Sequence, residues 1–215
     1  MTARAEILDR IATALGRPPA ARAADARDVS TGVTRRYRRA ASAVPPDSSV
    51  ARFAERVRDY GAGVSVVAPA GLAAAVAQAC GPGSVLAAPG VDGDWLAALG
   101  AACSYDDPPR TVAELTAVDT AVTGCAVAVA ETGTLVLDHG PGQGRRVLTL
   151  IPDRHVCVVG QWQIVAGVPD ALAALDPRGV LTWISGPSAT SDIELSRVVG
   201  VHGPRRLHVV VVVPD

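Results

Sequence analysis

Lysine and asparagine are both missing from the 215 residues, so all 20 basic side chains are arginine. This is the mark of a GC-rich coding bias and implies no mechanism. Aromatic residues make up only 3%, so a core must be built from Val, Leu and Ala. The four cysteines, Cys80, Cys103, Cys125 and Cys157, are scattered and form no C-x-x-C. That spacing fits neither a zinc site nor an iron–sulfur cluster, and gives no disulfide framework. They are read as buried, reduced thiols. No apolar run is long enough to span a bilayer. The opening "MTARAEILDRIATALG" carries Glu6 and Asp9 and lacks the apolar stretch of a secretory signal, so a cytoplasmic location is expected. The net charge of −1 excludes bulk attraction to nucleic acid or an anionic membrane.

What is present is 49% hydrophobic, enough for a substantial core. Thr2 and the spacing of Ile7, Leu8, Ile11 and Leu15 predict a first helix, stopped by Gly16 and Pro18. An Ala-, Arg- and Pro-rich stretch follows, so residues 1–47 are read as an N-terminal helix and linker arm. It includes "RRYRR" (35–39), read as a solvated or partner-facing surface. Residues 48–215 are read as one α/β domain. Val50, Phe53, Ala54 and Val57 predict a helix, "VSVVA" (64–68) a strand, "GLAAAVAQACG" a helix, "SVLAA" (84–88) a strand and "DGDWLAALG" a short helix. Two apolar runs, 126–130 and 134–138, meet at "ETGT". "RRVLTL", "HVCVVG", "VLTWI" (180–184) and "LHVVVVV" (207–213) read as further strands, with helices at "PDALAAL" and "SDIELSRVVG". The expected architecture is an open, largely parallel sheet with helices on both faces.

Four stretches carry candidate chemistry. "ISGPSATSDIE" (184–194) puts Ser185, Gly186, Ser188 and Thr190 at a strand end, ahead of a helix expected to begin near Thr190 or Ser191. Free N–H groups there favour an anion. Ser191 and Glu194 also fit a capping box, and Asp192 suits the first turn on the macrodipole alone. "AETGT" ends an apolar strand with Glu131. It reads either as a candidate base or as a turn carboxylate satisfied by Thr132 and Thr134. "HGPGQGRR" (139–146) is not a nucleotide loop. It is read as a mobile loop from which Arg145 or Arg146 could reach an anion. In "VVGVHGPRRLHV", His202 either bonds backbone in a turn or faces a pocket as acid or base. His155 and His208, in strands, are read as structural.

"AVAVAETGTLVL", "SGPSATSDIE" and "GVHGPRRLHVVVV", in this order, resemble the LUD domain of the lactate-utilization protein C family, over roughly residues 50 to 213. The resemblance implies the α/β fold shared by formyltetrahydrofolate cyclo-ligases, sugar-phosphate isomerases and CoA transferases. It implies a subunit of an iron–sulfur-dependent system oxidising L-lactate to pyruvate, with no cofactor in this chain and iron–sulfur clusters in a partner. The motifs map to Glu131, Thr132, Gly133 and Thr134, then Ser185, Gly186, Ser188, Thr190, Asp192 and Glu194, then His202 and Gly203. On this reading they enclose a small-carboxylate pocket, with Glu131 or His202 as the proton acceptor. A non-catalytic subunit docking the iron–sulfur partner is the alternative. A transferase or ligase acting on a folate- or nucleotide-like substrate is the third reading.

Overall fold

The computed structural model describes residues 3–16, 46–176, 178–187, 189–190, 198–199 and 203–214. The chain divides into two compact units, Met1–Arg38 and Arg39–Asp215. In the first, α1 spans Ala3–Ala14. The arginines of "RRYRR" lie outside the described residues.

The second unit is built on six parallel strands in the order β1-β12-β7-β4-β2-β3. These are β1 (Gly63–Val67), β2 (Val85–Ala87), β3 (Cys103–Tyr105), β4 (Thr120–Thr123), β7 (Arg154–Gly160) and β12 (Arg206–Val212). β7 and β12 lie side by side near the middle, and their continuous β-branched runs are buried on both faces, as a doubly covered parallel sheet requires. Helix α3 (Leu72–Cys80) covers one face, packing Leu72, Val76 and Cys80 with Val156, Val158, Val210 and Val212.

The other face is covered differently from the expectation. Helix α2 (Pro46–Asp59) supplies Phe53 and Val57. Beside it lies a second sheet of four strands, ordered β8-β5-β6-β9: β5 (Val127–Val129), β6 (Thr134–Leu137), β8 (Ile164–Val165) and β9 (Thr182–Ile184). Alternation along its hairpin sends Ala128, Leu135 and Leu137 toward Cys157, Val159, Val209 and Val211 of the large sheet. The intervening Val127, Val129 and Val136 face Ala171 of α5 (Val168–Ala174). Phe53, the chain's single phenylalanine, is 0% exposed in this layer, and truncating such a ring costs about 3–5 kcal/mol.

Two local expectations are corrected. "RRVLTL" is not a strand: Arg146–Thr149 forms a 3-10 turn, closed by Thr149 Oγ1 donating to the Arg146 carbonyl at 3.0 Å. No helix begins at Thr190. Ala189–Thr190 (β10) pairs antiparallel with Val198–Val199 (β11), and residues 191–197 lie outside the described residues. A short helix not anticipated, α4 (Val112–Leu115), is closed by a capping box between Thr111 and Glu114.

Candidate functional site

The "ETGT" and "SGPS" segments do meet. Thr132 Oγ1 lies 2.7 Å from Thr134 Oγ1, which lies 2.8 Å from Ser185 Oγ. This hydroxyl chain joins the hairpin turn to the end of β9, which runs antiparallel to β6. The expectation that Ser185 follows a strand of the parallel sheet is therefore corrected: β9 edges the smaller sheet.

Helix α2 clamps both turns. Gly133 sits at φ +64°, and a Cβ there would lie 2.8 Å from the Val57 nitrogen and the Arg56 carbonyl carbon. Gly186 sits at φ +85°, and a Cβ there would lie 2.5 Å from Tyr60 Cβ. Both positions demand glycine, on backbone grounds and for want of space. Each glycine's close approach is to α2 or the residue just beyond it.

Ser185 and Gly186 border a cavity of about 220 Å³, with Gly203, Arg146, Thr149 and His155 also in its wall. Arg146 is exposed and donates to Thr149 Oγ1 at 2.7 Å. His155 is 1% exposed and its Nε2 lies 2.7 Å from Thr123 Oγ1. Burial, with Arg146 adding repulsion, pushes its pKa down from 6.5 to about 4. The imidazole is therefore neutral at pH 7, a hydrogen-bonding group and a weak base.

Arg145, next in sequence to Arg146, goes elsewhere. Its Nε donates to Asp106 Oδ2 at 2.7 Å and a terminal nitrogen to Oδ1 at 3.0 Å. That nitrogen also donates to the Arg110 carbonyl at 2.7 Å. Asp106 is buried and also accepts from the Arg110 amide at 2.8 Å. The mobile-loop expectation for 139–146 is corrected by the same region. Gly142 donates to the Pro89 carbonyl at 2.8 Å and accepts from the Gly124 amide at 2.7 Å. Gln143 is buried and bonds Asp138 through both ends of its amide. This loop crosses the crevice between β2 and β4, where the strand order reverses and open α/β sheets commonly bind ligands. A cavity of about 560 Å³ bordered by Pro89, Gly90, Asp106, His139 and Arg145 lies beside it.

Glu131 is exposed, and its amide donates to the Ala166 carbonyl at 3.1 Å. The hydroxyls of Thr132 and Thr134 lie 2.7 Å from each other. Ser188, Asp192, Glu194 and His202 lie outside the described residues, and Thr190 is described in its backbone only. His155 is the cavity residue that sequence reasoning set aside. Its signal was its place one residue into a buried strand, where a polar side chain must find a partner or a cavity. Cys80, Cys125 and Cys157 are buried free thiols, and Cys103 is partly buried. Among the described residues no three His, Cys, Asp or Glu side chains are grouped to hold a metal ion. No helix of the described residues is long and apolar enough to cross a membrane.

Fold and site together define an α/β protein whose parallel sheet carries a second small sheet over one face, with a polar cavity at their junction. The profile described as "LUD domain" matches residues 109–212. A lactate utilization protein C of Deinococcus radiodurans is 50% identical over 166 residues, covering 75% of this chain and 78% of that protein. A lactate utilization protein C of Shouchella clausii is 34% identical over 113 residues, 49% of each chain. Among solved structures, a DUF162-family protein from Deinococcus radiodurans superimposes with a TM-score of 0.68 at 40% identity, covering 80% of this chain and 100% of that one. The chain belongs to the LUD-domain family.

Proposed function

We propose that this chain serves lactate utilization as a subunit of an iron–sulfur-dependent system that oxidises L-lactate to pyruvate, and that it contributes the pocket for the small carboxylate. The observation that carries the reading is the junction of two motif segments, through Thr132, Thr134 and Ser185, at a cavity that also holds Arg146 and a neutral His155. The Arg146 guanidinium suits the carboxylate. Ser185 and His155 offer hydrogen bonds to the 2-hydroxyl, and His155 stays uncharged while it does so. The acceptor of the hydroxyl proton is His202, whose neighbour Gly203 lines the cavity, with Glu131 the alternative. Oxidation of the alcohol to the ketone breaks the O–H and C2–H bonds and releases two protons and two electrons. The hydroxyl proton goes to that acceptor, the C2 hydrogen leaves as a proton to solvent, and the electrons would pass to an iron–sulfur partner. The names of the relatives support the pathway, and the geometry supports a small anionic guest.

Isothermal titration of the full chain with L-lactate and with pyruvate, alone and with its partner subunits, tests the pocket. Saturable binding weakened about tenfold or more in Arg146→Gln is expected, the loss of one charged hydrogen bond. No binding in either setting overturns the pocket. A second reading, an assembly subunit that docks the iron–sulfur partner, draws on α1 and the residue after it, where Ile7, Leu8, Ile11 and Leu15 are exposed. Deleting residues 1–16 distinguishes the two. Lost lactate oxidation with retained ligand binding supports docking.

A further inference from the structure

Successive residues on a strand face opposite sides of the sheet, so β7 sends His155 to the carboxylate cavity and Arg154 to the face covered by α3. On that face Arg154 meets Arg205, Arg206 and His208 around a separate cavity of about 230 Å³, with Gly63 and Ala79 in its wall. The register explains the meeting: Arg206 pairs with Arg154, and His208 with Gly63.

Three guanidiniums share this place with two carboxylates, Asp153 and Asp119. Asp153 accepts from Arg205 Nε and, at 3.0 Å, from a terminal nitrogen of Arg206. Arg154 is half-buried, and no described residue accepts a hydrogen bond from it or pairs with it as a salt bridge. One of its terminal nitrogens rests against Gly81, where a Cβ would lie 2.7 Å away. The carboxylate close enough to feel Arg154 is Asp119, which is engaged by the amide and hydroxyl of Ser84 at 2.8 and 2.9 Å. His208 Nε2 lies 2.9 Å from Ser65 Oγ, and burial, then Arg154, lowers its pKa, so it adds no positive charge at pH 7. A half-buried guanidinium without an acceptor carries a desolvation cost that a bound anion would offset.

We propose that this cavity is a second anion site, which takes a phosphate or phosphomonoester group on Arg154 with Arg205 and Arg206 beside it. Guanidinium forks match phosphate oxygens in pairs. Asp153 engages Arg205 and Arg206 and Asp119 is engaged by Ser84, so the Arg154 guanidinium is the one left to take the phosphate oxygens. The apolar wall of Gly63, Ala79 and Leu207 leaves room for a small organic moiety. Leu207 borders both cavities, but Arg154, Arg206 and His208 lie on the α3 side of the sheet and His155 on the other.

Calorimetric titration of the full chain with inorganic phosphate and with glycerol 3-phosphate, at fixed ionic strength, tests it. Saturable binding of one or both is expected, weakened at least tenfold by Arg154→Gln and by Arg206→Gln and unchanged by Arg146→Gln. Tighter binding of the ester identifies a phosphorylated metabolite as the source, and equal binding identifies free phosphate. In the unaltered protein, a bound phosphate raises the pKa of His208, read from its ring resonances. Absence of saturable binding by both probes, an unmoved His208, or binding lost in Arg146→Gln but kept in Arg154→Gln overturns the proposal.

Discussion

At the carboxyl edge of the large sheet, the loop at Gly142 crosses the crevice between β2 and β4, and Arg145 is held twice by the buried Asp106. Toward the amino ends of β7 and β12, Arg154 has no hydrogen-bond acceptor among the described residues and Arg205 and Arg206 share Asp153. His155 there lines a cavity instead of a packed core. At the edge where α/β sheets usually bind ligands, the protein's own glycine-rich loop takes up the backbone and arginine hydrogen bonds. It leaves beside it a cavity of about 560 Å³ whose Arg145 and Asp106 are already paired, and the unspent hydrogen-bonding capacity lies at the other end. A fold-level rule points to a location, and only the hydrogen-bond inventory of the particular chain says whether that location is taken.

Substitutions can break this contrast. Asp106→Ala strips Arg145 and the Arg110 amide of their acceptor. It is expected to cost about 3 kcal/mol in urea unfolding, at the low end for a buried pair because Arg145 stays partly hydrated, while ligand affinities hold. His155 supplies the next effect. Burial disfavours its imidazolium in the folded chain, so the unfolded chain takes up the proton first. Stability from this group is complete above pH 6.5, falls as pH drops from there to about 4, and then levels off. That loss is on the order of 3 kcal/mol, and His155→Gln removes it from the acid limb of a stability–pH curve. Gly90→Ala, at φ +86° with a Cβ 2.8 Å from the Gly142 nitrogen, is expected to cost about 2 kcal/mol and to speed hydrogen exchange at the Gly142 amide. Arg154→Gln is expected to change stability by no more than about 0.5 kcal/mol, since Arg154 makes no hydrogen bond or ion pair with a described residue and its neighbour Asp119 keeps its bonds to Ser84. A loss as large as that of Asp106→Ala would show that the amino end is as fully occupied as the carboxyl edge.

The main strands were legible because "HVCVVG" and "LHVVVVV" are continuous apolar runs, which a doubly covered sheet requires. The hairpin around "ETGT" was legible for its two β runs, yet a run of apolar residues does not say which sheet it joins, so the second sheet went unseen. β3 ("CSY") and β4 ("TAVT") carry polar residues in short runs and lack the apolar stretch that marked the equally short β2. The S/T-x-x-E pattern read at Ser191 also stands at Thr111–Glu114, where a helix does start. In the site, motif order anticipated that the 131–134 and 185–186 segments belong together. It did not separate the roles of two adjacent arginines, because only the buried Asp106 draws Arg145 away from Arg146. Nor did it show that Gly133 and Gly186 are there to admit α2 and Tyr60, a demand set by packing across distant segments.

The most direct test follows backbone amide resonances of the full chain as L-lactate is added. Shifts concentrated at Ser185, Gly186 and Gly203, with the His155 ring responding and Gly90 and Gly142 silent, are the expected result. Shifts centred on Gly90 and Gly142 with the first group silent would contradict the account, since the guest would then sit in the carboxyl-edge cavity bordered by Gly90.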